Sequence, residues 1–127
     1  MASPHRAPVR PHRLAARPFT AGVAELLRTR AFAIVWAAYV AGNVADCVTT
    51  QIALRSGLRE RNPLAAGVYA HGGIAGLWAL KAAVVGLVLL GLTLVPRRLA
   101  LLLAGALAVT MALNVNANLD ALRSIGL

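Results

Sequence analysis

Hydrophobic residues in this chain fall into three long runs separated by short polar punctuation. Residues 31–54 carry no lysine or arginine, residues 72–95 only Lys81, and residues 99–122 only Asp120. A hydrocarbon core about 30 Å thick needs about 20 largely apolar residues at 1.5 Å rise each, and each run meets that length. The pattern predicts an all-α membrane protein with three transmembrane helices, spanning about 31–54, 73–95 and 99–122. Three spans use up the chain and leave no room for a separate soluble domain.

The punctuation adds one element. Arg55, Ser56 and Gly57 read as a last helical turn and its left-handed cap, since glycine takes positive φ without a Cβ clash. Asn62 before Pro63 reads as an N-cap and first helical position. Continuous helix from Pro63 to Val95 would be about 50 Å long, too long for one crossing. His71-Gly72-Gly73 is the natural break, so the first loop is expected to lead into a short helix at 63–71, external or re-entrant. Pro96 ends the second span, and Arg97-Arg98 form the following turn.

The segment before the first span divides in two. Residues 1–18 contain four prolines, many arginines and no acidic residue, and are expected to form a disordered basic tail drawn to anionic headgroups. In residues 19–30, Phe19, Val23, Leu26 and Leu27 share a helical face while Glu25 and Arg28 lie on another. That pattern predicts an interfacial amphipathic segment.

Composition supports the membrane reading: 59% of the 127 residues are hydrophobic and only 13% charged, about half the charge of a soluble domain. The net charge of +9 would suggest nucleic acid in a soluble protein, but here the arginines flank the spans, and no nucleic-acid partner is expected. Eight arginines (6, 10, 13, 17, 28, 30, 97 and 98) lie on one side of the predicted topology and four (55, 59, 61 and 123) on the other. This asymmetry predicts a cytoplasmic N-terminus and an external C-terminus in the cytoplasmic, or inner, membrane of a bacterium or archaeon. Cys47 is the only cysteine, so no internal disulfide forms, and Asp46 before it spoils a lipoprotein cleavage signal. The first span is expected to be retained.

Two fixed charges interrupt the apolar runs, Asp46 and Lys81. An ionisable group in hydrocarbon costs roughly 2.5–3.5 kcal/mol and persists only when paired, hydrated or useful. Asn43, Asp46, Cys47 and Thr50 form an i, i+3, i+4, i+7 stripe on the first span, and Asn114 and Asn118 are i, i+4 partners on the third. Helical rise puts Asp46 about 23 Å from the start of its span and Lys81 about 13 Å from the start of its own, at similar depth. Asn43, Asp46, Thr50, Glu60, Asn62, Lys81, Asn114 and Asn118 are therefore the candidate polar intramembrane site, with Asp46 and Lys81 neutralising each other directly or through one water. Glu60-Arg61-Asn62-Pro63 is expected to close its mouth, with Glu60 turned toward Lys81, His71 or a cation from outside. On the second span Gly73, Gly76, Ala79 and Ala83 form a small-residue side suited to close helix approach.

The same residues bound the function. Cys47 has no helical histidine neighbour, and Ser56 and Ser124 have none at a suggestive spacing, so no catalytic residue and no enzyme activity is expected. His71, Glu60 and Asp120 are too scattered to predict a metal centre. No phosphate-binding loop, Cys-x-x-Cys or dinucleotide fingerprint is present, and no cofactor is expected. The favoured reading is a structural or assembly subunit, with the bilayer and either a homo-oligomer or another membrane subunit as partner. The alternatives are an oligomeric protein that binds or transports an ion, proton or small solute, and, third, an intramembrane enzyme. Intramembrane hydrogen bonds average only about 0.6 kcal/mol, which makes glue alone a weak reason for so many polar groups.

The string Asn43-x-x-Asp46-x-x-Thr49-Thr50, then Gly57-x-x-Glu60-x-Asn62-Pro63, then the membrane Lys81, resembles a family of small prokaryotic integral membrane proteins known only as a domain of unknown function. The resemblance covers roughly residues 30–120. It implies a small helical membrane domain whose motif residues are Asn43, Asp46, Thr50, Glu60, Asn62, Pro63 and Lys81, and it implies no reaction.

Overall fold

A computed structural model describes residues 19–126; the basic segment 1–18 lies outside the described residues. The described residues form four helices and no strand: α1 (Phe19–Leu27), α2 (Arg30–Arg55), α3 (Pro63–Thr93) and α4 (Arg97–Arg123). Helices α2, α3 and α4 are each long and apolar enough to cross a membrane. The protein is a multi-pass membrane protein, all-helical in its described part.

The helix ends follow their sequences. At the end of α2 the Gly57 amide bonds to the Leu54 carbonyl and the Leu58 amide to that of Ala53, with Gly57 at φ 85°. This pair of bonds satisfies carbonyls that a helix otherwise leaves open. Helix α3 starts with Pro63 after Asn62, whose Oδ1 accepts from the Leu64 amide at 3.0 Å. Only Arg28 and Thr29 separate α1 from α2, and Leu26 of α1 is buried against the larger helices while Leu27 is exposed.

The start of α2, the end of α3 and the start of α4 share the apolar core. Phe32, Trp36, Tyr39, Leu92, Ala100 and Ala104 are all buried there together with Leu26. Phe32, Trp36 and Tyr39 lie one turn apart on a single face of α2, with ring centroids 6.2 and 5.1 Å apart. The rings fill space that Ala100 and Ala104 leave by being small, so α4 comes close to α2. This is the most extensive helix pair in the molecule. The two helices approach closely at Gly42, where an added Cβ would lie 2.8 Å from Cβ of Met111.

Helix α3 breaks once. Gly73 has φ 56° and ψ −151°, a conformation open essentially to glycine alone. The turn is sharp enough to bring Val68 and Gly76 together, although eight residues of straight helix would separate them by about 12 Å. A Cβ on Gly76 would lie 3.1 Å from both Cγ1 and the carbonyl oxygen of Val68. The short arm, residues 63–72, thus folds back on the long arm, residues 74–93, and buries Ala65. The close approach on the small-residue side is therefore made within α3, at Gly76. Ala79 and Ala83 remain exposed.

The glycine contacts yield a prediction with opposite signs. Gly42→Ala should lower the melting temperature in detergent, because overpacking costs about 1–3 kcal/mol. Met111→Gly should relieve it in the double variant and Met111→Ala should not, since the clash is with Cβ. Gly86→Ala, at a helical position open on all sides, should be neutral or stabilising. Equal losses at 42 and 86 would contradict the packing described.

Candidate functional site

The buried stripe of α2 changes character one turn beyond Tyr39. Asn43, Asp46, Cys47 and Thr49 continue it as buried residues, with Thr50 half-buried beside them. Helix α3 runs opposite to α2, so Lys81, in the first half of its long arm, reaches the depth of Asp46. Helix α4 runs with α2 and delivers Asn118 from its last turns.

The three meet at the Asp46 carboxylate. Lys81 Nζ lies 2.5 Å from Asp46 Oδ2, and Asn118 Nδ2 donates to Asp46 Oδ1 at 2.9 Å. The same Asn118 nitrogen is 3.1 Å from Thr49 Oγ1 and 3.2 Å from Thr50 Oγ1. An amide nitrogen has two hydrogens, so three acceptors share two donors and the bonds to the threonines are partial. The Thr49 hydroxyl itself donates to the carbonyl of Ala45 or Asp46. Asn43 donates to the Tyr39 carbonyl at 2.9 Å, one turn back on the same helix.

A cavity of about 480 Å³ opens beside this network, between α2, α3 and α4. Asn43, Asp46, Thr50, Glu60, Asn62, Lys81, Asn114 and Asn118 all line it, so the eight polar positions singled out in the sequence share one wall. Their roles differ. Asp46, Lys81, Asn118 and Thr50 are bonded across helices, whereas Asn114 is exposed and has no hydrogen bond among the described residues. Glu60 is held locally, its Oε1 accepting from the Asn62 amide at 2.9 Å, and not by Lys81 or His71. With Asn62 capping α3, the mouth loop is a two-cap turn with one Glu60 oxygen to spare.

Other candidates stay apart. His71 Nδ1 donates to the Gly67 carbonyl at 2.8 Å on the folded-back arm, and Asp120 pairs at the surface with Arg123 at 2.8 Å. No three of His, Cys, Asp and Glu converge among the described residues in a way that could hold a metal ion. Cys47 of the polar stripe and Arg61 of the mouth loop line the cavity too, Tyr39 and Met111 join them, and Trp78 reaches Gln51 across α2 and α3 at a long 3.4 Å. Tyr39 was hidden in the sequence by its place in the aromatic stripe. Gln51 was hidden because its partner lies 27 positions away. The cavity wall is completed by apolar side chains of α3, among them Leu77, Leu80 and Val84.

The Asp46 side chain is 9% exposed and that of Lys81 31%, which makes the two halves of the pair unequal. Removing one partner of a buried pair strands the other, at a cost of roughly 3–5 kcal/mol when it is fully buried. Lys81→Met strands the more enclosed charge and should cost the most, on the order of 3 kcal/mol, and Asp46→Asn roughly half of that. The double variant should recover part of either loss in thermal unfolding of the purified protein. Strictly additive losses, or Asp46→Asn costing more than Lys81→Met, would contradict the pairing.

Two outcomes come from comparison with known proteins. No curated protein and no solved structure matches the chain. A family model described as a domain of unknown function, DUF5658, matches residues 37–119, a stretch that includes every residue lining the cavity, from Tyr39 to Asn118. The match covers well over half of the chain, and the protein belongs to the DUF5658 family.

Proposed function

We propose that the protein binds a small polar solute or ion within the membrane, in the cavity walled by α2, α3 and α4. One observation carries this reading: polar residues from three helices and a loop line a single cavity of about 480 Å³, within the usual range for ligand sites. Polar groups that served only to hold helices together would need no such space. Asn114 on the cavity wall has no protein partner among the described residues to hold. The arginine asymmetry supports an N-terminus in the cytoplasm, which opens the cavity mouth toward the exterior of a bacterial or archaeal cell. Binding is favoured over catalysis because both oxygens of the Asp46 carboxylate hold structural partners, Lys81 and Asn118, and no nucleophile or base is paired beside it among the described residues. Transport would need a homo-oligomer or a further subunit, since three helices rarely enclose a pore.

A second reading, a structural or assembly subunit, is favoured by the outer face of α3. Ala75, Ala79, Ala82, Ala83 and Gly86 are exposed there, and small residues suit close packing against another membrane helix.

Water access separates the two. In a Cys47→Ser background reconstituted in liposomes, Asn114→Cys should react with a charged, membrane-impermeant methanethiosulfonate. Ala112→Cys, exposed on α4 away from the cavity, should not. Equal resistance at both positions would mean a dry cluster and leave only the structural reading.

A further inference from the structure

The cavity is balanced in charge and mixed in character. Two anionic side chains, Asp46 and Glu60, and two cationic ones, Lys81 and Arg61, line it. Asp46 and Lys81 are bonded to each other, and Glu60 has one oxygen on the Asn62 amide. Neither sign is fully spent: an ammonium has three donors and a carboxylate about four acceptor sites. Asp46 uses one site on each oxygen, for Lys81 and Asn118.

A lone ion fits this arrangement badly. A lone cation on the spare acceptors of Asp46 sits beside the Lys81 ammonium with no anion to offset the repulsion between the two like charges. An anion that draws Lys81 away leaves the buried Asp46 carboxylate without its counter-charge, which is costly in a low-dielectric site. A molecule that brings both charges avoids both losses. Its anionic group can sit on the spare donors of Lys81 and Arg61, and its cationic group on the spare acceptors of Glu60 and Asp46. The remaining wall, Ile74, Leu77, Leu80, Val84 and Met111, offers apolar surface that such a ligand must also cover.

We infer that the ligand is a net-neutral zwitterion, one ammonium and one anionic group, carrying an apolar portion that lies against α3 and Met111. The inference rests on the binding reading proposed above. Two sources supply this chemistry: an apolar amino acid from water, or an ethanolamine phospholipid from the bilayer. Val84 and Asn114 are both exposed on the cavity wall, so the cavity reaches the molecular surface along α3 and α4 as well as at the loop.

The test uses the full chain in a non-ionic detergent, with thermal unfolding and native mass spectrometry as readouts. L-Leucine supplies the zwitterion from water, isopentylamine its cationic half and isocaproate its anionic half. Phosphatidylethanolamine and phosphatidylglycerol supply the lipid arm. Saturable stabilisation by leucine, on the order of tenfold tighter than either half, supports the inference with an aqueous source. Retention of phosphatidylethanolamine over phosphatidylglycerol, with leucine silent, supports it with a lipid source. In both cases Asp46→Asn/Lys81→Met, a variant expected to fold better than Lys81→Met alone, should abolish the preference. Isopentylamine or isocaproate matching leucine, or the anionic lipid matching the zwitterionic one, overturns the inference and leaves the binding reading standing. Silence from every probe also overturns it. Silence together with an unreactive Asn114→Cys removes the binding reading as well.

Discussion

A single carboxylate ties the transmembrane helices together. Asp46 stands on α2, and its two oxygens take Lys81 from α3 and Asn118 from α4. In water such contacts would be worth little, because exposed ion pairs are screened and compete with solvent. Inside a membrane the alternative to pairing is an uncompensated charge. The geometry of the three helices at this depth is therefore set less by the attraction within the pair than by the penalty for its absence. Asn118 extends the constraint to Thr49 and Thr50, so that one amide reads the position of a whole turn of α2.

The helices divide into an apolar end and a polar end along a single face of α2. Phe32, Trp36 and Tyr39 fill the first half with rings, and Asn43, Asp46 and Cys47 line the second. Where α2 and α4 approach over Gly42 and Met111 there is no room for solvent. Helix α3 packs far less extensively on α2 and α4 than those two do on each other, and the cavity lies between the three. The extensively packed α2–α4 pair presents Asp46 and Asn118 on one wall, while α3 supplies Lys81 and most of the apolar lining.

The folded-back arm of α3 completes the cavity and does so through backbone conformation. The positive φ of Gly73 turns the chain, and the missing side chain of Gly76 allows Val68 to come down onto it. Leu64 and Ala65 of that arm then join the cavity wall beside the Glu60–Asn62 turn. The break lets one continuous run of helix-forming residues serve both as a membrane span and as part of the mouth of the cavity.

Much of this was legible in the sequence, and for clear physical reasons. Three apolar runs of sufficient length can only be satisfied as membrane helices, because unpaired backbone in hydrocarbon is prohibitive. Glycine, asparagine and proline at 57, 62 and 63 announce their caps through local conformational preference, and Gly72-Gly73 announces the break. Asp46 and Lys81 drew attention to each other because a charge in an apolar run demands a partner. What the sequence could not decide was anything that depends on the angle and separation of helices. The local hold on Glu60, the closeness of Gly42 to Met111, the contact of Gly76 with its own helix and the recruitment of Tyr39 to the cavity are of that kind. Each depends on how side chains distant in sequence fill or leave shared space. Helical period places a residue on a face, and only the packing of the other helices determines whether that face meets a ring, a charge or an open cavity.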